Sequence, residues 1–150
     1  MSVRKQRLSF LVADSFSVVR CGMRSVLTER FADANVCFEE NVDGFLASLS
    51  LSDYDLVIVS DEIADGAWFS RPAKKMSYAC SECPTIVFFE SNLRSDRVHE
   101  FAAKGYKGAL NKNVGISVII EAIDKILFNR AAFVYGVSDE LIVLGRNEVF

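Results

Sequence analysis

Five short apolar runs alternate with segments of helical period along this chain, and that alternation restricts the fold more than any other feature. The runs are 8–13 (LSFLVA), 35–38 (NVCF), 55–59 (DLVIV), 85–89 (TIVFF) and 106–110 (YKGAL). Continuous runs of this length, rich in Val, Ile and Phe, read as strands buried on both faces. Between them the apolar residues take a helical spacing: Val19, Gly22, Met23, Val26, Leu27 and Phe31, then Val42, Phe45, Leu46 and Leu49, then Val98, Phe101 and Ala102. The clearest stripe is Ile116, Ile119, Ile120, Ile123, Ile126 and Leu127. Gly105 stands where a helix should stop. The segment 67–80 reads as a helix only if it begins at Pro72. Strand then helix, five times over, predicts an α/β fold with a doubly wound, five-stranded parallel sheet and right-handed crossovers. One domain is expected to fill 1–130.

Composition removes most other classes. A chain of 150 residues that is 51% hydrophobic and 25% charged can bury a core and is no disordered segment. A net charge of −3 supplies no general attraction for nucleic acid, and Arg4, Lys5 and Arg7 read as a solvated start. No apolar run reaches the ~18 residues of a membrane span, and the start lacks a signal-peptide core, so a cytoplasmic protein with no membrane contact is expected. Four cysteines make no disulfide scaffold, and the single histidine, His99, leaves little for histidine-based catalysis. The chain is expected not to be an enzyme.

In an open parallel sheet, ligands bind beyond the carboxyl ends of the strands. The polar residues just past the apolar runs are Asp14-Ser15, Ser60-Asp61, Glu90-Ser91 and Asn111-Lys112. Here the sequence resembles the response-regulator receiver domains of the LuxR/NarL type. The resemblance rests on VADSFSVVRCGMRSVL (12–27), DLVIVS (55–60), PTIVFFES (84–91) and GYKGALNK (105–112). It covers about 8–130 and implies a CheY/flavodoxin-like (βα)5 fold.

The departures from that family govern the functional expectation. Its phosphoryl chemistry uses three carboxylates around Mg²⁺, a hydroxyl, and a lysine. Asp14 fills the first acidic position, but Ser15 stands at the second and Ser60 at the phosphoacceptor, counted from Asp55. Phe89 stands at the hydroxyl switch, and Ala109 replaces an aromatic three residues before Lys112. The loop keeps Asp65-Gly66 but is about two residues short. With one carboxylate of three left, Mg²⁺ gains little, and a serine without a base is no acceptor. The resemblance therefore implies a degenerate site (Asp14, Ser15, Ser60, Asp61, Phe89, Lys112) with no cofactor and no metal, and a direct contact between Asp14 and Lys112. A one-residue slip making Asp61 the acceptor requires a bulge in its strand.

The remaining motifs read more plainly. Cys80-Ser-Glu-Cys83 is a single CxxC where zinc wants two such pairs, even counting Cys37 or His99, and it closes a helix where a redox motif would open one. Ser60, Lys112 and Asp14 drawn as a serine–lysine group lack any sign of an oxyanion hole. Glu90 at the mouth is placed to accept from Lys112. Trp68 and Phe69, read as loop residues, are either a partner-binding tip or packed on the sheet edge. Residues 131–150 are expected to lie apart from the sheet, as a linker or the start of a truncated helix-turn-helix domain whose opening Arg146–Phe150 loosely resembles. Failing that, Leu141–Leu144 and Phe150 would form a short helix docking on the domain or on a second copy.

The expected function is a phosphorylation-independent receiver-like domain of a bacterial transcription regulator. It forms a homodimer, or pairs with another regulator, over a last-helix face of Ile116, Ile120, Ile123 and Leu127. DNA would be reached only through a C-terminal domain outside this chain. The alternatives are a stand-alone interaction protein or anti-activator, and a phosphoacceptor using Asp61 with Mg²⁺.

Overall fold

The computed structural model describes residues 7–69, 83–90 and 95–145. The elements run β1 (Ser9–Ala13), α1 (Ser17–Arg30), β2 (Asn35–Glu39), α2 (Val42–Leu51), β3 (Leu56–Ser60), α3 (Asp61–Phe69) and β4 (Thr85–Phe89). They continue with α4 (Ser95–Ala103), β5 (Gly108–Asn111), α5 (Ile116–Leu127), β6 (Phe133–Val137) and β7 (Glu140–Leu144). The strand order is β2-β1-β3-β4-β5-β6-β7. The first five strands form the expected doubly wound parallel sheet, but the sheet has seven strands, not five. β6 joins β5 in parallel, and β7 returns antiparallel to β6.

Alternation along each strand sorts its side chains into two cores. Phe10, Val12, Leu56, Ile58, Ile86, Phe88, Leu110 and Val134 pack with α1 and α5 on one face. Leu11, Ala13, Val57, Val59, Val87, Phe89, Ala109 and Phe133 pack with α2, α3 and α4 on the other. Each fully buried Val, Leu, Ile or Phe among them contributes roughly 1.5–3 kcal/mol. β6 therefore serves both cores, and the expected boundary at 130 falls inside one continuous sheet.

Two further expectations are corrected. Residues 133–144 were expected apart from the sheet, or partly as a docking helix, and instead form a hairpin reversing over Ser138 (φ 57°) and Asp139. Gly136 admits β6 against β5, because a Cβ there would lie 2.6 Å from Leu110 Cδ2. Asp65, Gly66 and Trp68, read as loop residues, lie within α3, which starts directly at the end of β3. Ser60 caps that helix, and Asp61 and Glu62 complement the positive end of its dipole. The helix expected over 67–80 from Pro72 lies outside the described residues beyond Phe69. Gly105 does stop α4, at φ 95°.

Candidate functional site

Parallel strands carry their carboxyl ends to one edge, which gathers Asp14, Ser60, Glu90 and Lys112. Asp14 is 1% exposed. Its Oδ1 accepts the Phe16 amide at 2.9 Å, turning the chain into α1, and Arg20 donates to its carbonyl oxygen at 2.7 Å. Lys112 Nζ stands 2.8 Å from Asp14 Oδ2, the expected direct contact. The ammonium lies off the direction a hydrogen bond needs, so buried Oδ2 is compensated by a neighbouring charge rather than an aligned donor.

Lys112 is held from three sides. Besides Asp14, Glu90 Oε1 lies 3.6 Å from Nζ, an ion pair at the more exposed mouth of the site. The Phe16 ring lies beneath the ammonium, 5.1 Å from Nζ to its centroid. Phe16 and Arg20 are contributors that sequence reading passed over. Both sit in the stretch after β1 that carried the resemblance, yet neither belongs to the chemistry that directed attention there.

The other site residues divide. Ser60 is buried, and its Oγ accepts the Ile63 amide at 3.3 Å, so its lone pair is occupied as a helix cap. Among the described residues no hydrogen bond joins Ser60 to Lys112, and the serine–lysine arrangement is not assembled. Asp61 lies beside it in the first turn of α3, where Oδ1 accepts the Glu62 amide. Burial pushes the Asp61 carboxyl upward, outweighing the downward pull of that amide and of the Lys112 charge. Ser15 is exposed, while Phe89 and Ala109 lie fully in the core.

These residues do not fit Mg²⁺. Among the described residues no three acidic, cysteine or histidine side chains are grouped closely enough to hold a metal. The one buried carboxylate already faces an ammonium, and a divalent ion there would meet a like charge. Lys112 is the cation of this site.

Elsewhere, Ile123 of the expected dimer face is fully buried within the monomer, so it lies on no surface. Ile120 and Leu127 pack partly on the same core, leaving Ile116, at 61%, as the exposed member. Trp68 packs onto the fold, donating to the Tyr106 hydroxyl at 2.6 Å with Lys104 above its ring. Cys83 Sγ donates to the Tyr54 carbonyl at 2.9 Å, and His99 is exposed. Arg7 Nε donates to the Asp33 carbonyl. Cys80, Arg4, Lys5, the Phe69 side chain and the Arg146–Phe150 motif lie outside what the structure describes. No helix among the described residues is long and apolar enough to cross a membrane.

No protein-family model matches the chain, and no curated protein sequence matches it. Solved structures do. A CheY-like response regulator receiver domain protein from Methanospirillum hungatei JF-1 is similar with TM-score 0.63 at 15% identity, over 83% of this chain and 97% of that one. A LuxR family DNA-binding response regulator from Silicibacter pomeroyi gives 0.62 at 19%, over 87% and 96%. The signal receiver domain of an HD domain-containing protein from Pseudomonas fluorescens Pf-5 gives 0.65 at 14%, over 87% and 93%. At these identities the likeness is one of fold: the chain has the CheY-like receiver architecture.

Proposed function

We propose that this receiver-fold chain is a pseudo-receiver, a non-enzymatic regulatory domain of a bacterial transcription regulator that works in the cytoplasm without phosphorylation. The carrying observation is the position of Lys112 Nζ, 2.8 Å from Asp14 and 3.6 Å from Glu90. The ammonium neutralises the edge that a metal would otherwise have to neutralise. Ser60 supports the same reading, because its hydroxyl caps α3 and, among the described residues, makes no hydrogen bond to a base that would activate it. Output then comes from pairing with a second copy or with another regulator. DNA contact is made through a C-terminal helix-turn-helix domain that is not among these residues.

Incubating the chain with a small phosphodonor and Mg²⁺, followed by intact mass spectrometry, tests this. No phosphoryl adduct is expected. An adduct that disappears in Asp61→Asn would overturn the proposal and make Asp61 a working acceptor.

A further inference from the structure

Among the described residues β7 ends the sheet, and the backbone groups on its open side can be named. Val134 N donates to the Lys107 carbonyl at 3.0 Å, so Val134 turns its polar backbone toward β5. Phe133, Tyr135 and Val137 therefore turn theirs toward β7. They pair with Leu144, Ile142 and Glu140. That leaves the N–H and C=O of Leu141 and Val143 directed out from the edge. Such groups are a template for another strand, and proteins blunt them with Lys, Pro or a bulge. The stretch Leu141-Ile142-Val143-Leu144 contains neither Lys nor Pro, and Ile142 and Val143 are 47% and 39% exposed. β2, the opposite edge, has no large exposed apolar side chain, and its Phe38 lies under the Arg24 guanidinium.

We propose that β7 pairs antiparallel with β7 of a second copy, across a two-fold axis at Ile142. The occupant follows from the strand itself. Centred on Ile142, Leu141 stands opposite the partner's Val143 and Ile142 opposite the partner's Ile142, so all four outward groups of each strand find mates. The rows across the junction are apolar on both faces. Tyr135 and Ile142 meet the same pair reversed on one side, and Gly136 and Leu141 run on into the partner's Val143 and Val134 on the other. Parallel pairing in register would set Glu140 against Glu140, a like-charge contact that the antiparallel arrangement avoids. Pairing β7 with β2 of another copy would expose a fresh β7 at each addition and grow without limit, whereas β7 on β7 closes at two. The two seven-stranded sheets become one. This holds whether or not the Asp14–Lys112 edge accepts phosphate, and the two tests fail separately.

Sedimentation of the full chain at micromolar concentration decides it, with two variants. Val143→Pro deletes an outward N–H while leaving every bond from β7 to β6 in place. Ile142→Lys sets two ammonium groups facing each other across the axis. The unaltered chain is expected to be a dimer and both variants monomers, with the far-ultraviolet circular dichroism of the parent. If Val143→Pro does not fold, Ile142→Lys alone decides. A monomeric parent, or a dimer that persists in a folded Ile142→Lys chain, overturns the proposal.

Discussion

Replacing Lys112 with Met is expected to destabilise the fold by about 3 kcal/mol, the lower end of the range for stranding one partner of a buried pair. The Asp14 side chain is 2% exposed and that of Lys112 14%. Without the ammonium, the carboxylate keeps, among the described residues, the Phe16 amide at Oδ1 and no partner at Oδ2. Glu90 loses far less, because its side chain is 59% exposed and water takes over. Adding Asp14→Asn to Lys112→Met should restore most of the loss, since removing both charges leaves nothing uncompensated. Urea midpoints at unchanged slope measure it. A loss under about 0.5 kcal/mol for Lys112→Met, the scale of an ordinary surface substitution, would show that the pair carries no buried charge.

A chain ended at Arg130 is expected to lose cooperative folding altogether. That cut falls at the domain boundary the sequence predicts, yet it removes Phe133 and Val134, both 0% exposed and lodged in opposite cores. Truncating one such Phe to Ala costs about 3–5 kcal/mol, against about 5–15 kcal/mol for the stability of a whole domain. The cut also strips the partner strand from β5, whose residues are all buried. Near-ultraviolet circular dichroism and a thermal scan read the outcome. A melt as sharp as that of the full chain would make the hairpin an appendage.

The hairpin was legible in principle. Phe133 to Val137 and Glu140 to Leu144 are two runs of strand-forming residues separated by Ser138-Asp139, the spacing of a two-residue turn. The resemblance stops near residue 130, and it makes whatever follows look like linker. The same frame hid the start of α3. Ser60-Asp61-Glu62-Ile63 is a helix opening by its own chemistry, with a capping hydroxyl and acidic first turn, but the resemblance matches Asp65-Gly66 to a loop. Where the physical pattern stands alone, as in the continuous apolar runs that become β1, β3 and β4, the expected strands buried on both faces are the ones the structure has.

The site was legible in its membership and not in its geometry. Asp14 follows β1 and Lys112 follows β5, and parallel strands end at one edge of the sheet, so topology alone brings the two residues to that edge. The Phe16 ring under Lys112 and the Arg20 clasp on the Asp14 carbonyl depend on how α1 enters, which no spacing encodes. The Ile stripe of α5 misled for a simpler reason. Ile123 reads as surplus to one helix face, but β6 and β7 widen the sheet beneath α5, and Ile119, Ile123 and Ile126 are buried there while Ile116 stays exposed.

Amide spectra recorded before and after adding Mg²⁺ with beryllofluoride, a mimic of the phosphoryl group, test the locked edge most directly. The resonances of Asp14, Ser60, Asp61 and Lys112 are expected to stay where they are, because the ammonium already holds the buried carboxylate of the site, Asp14. Saturable shifts centred on Asp61 and Lys112, abolished by Asp61→Asn, would contradict the account and restore this chain to the phosphorylated class.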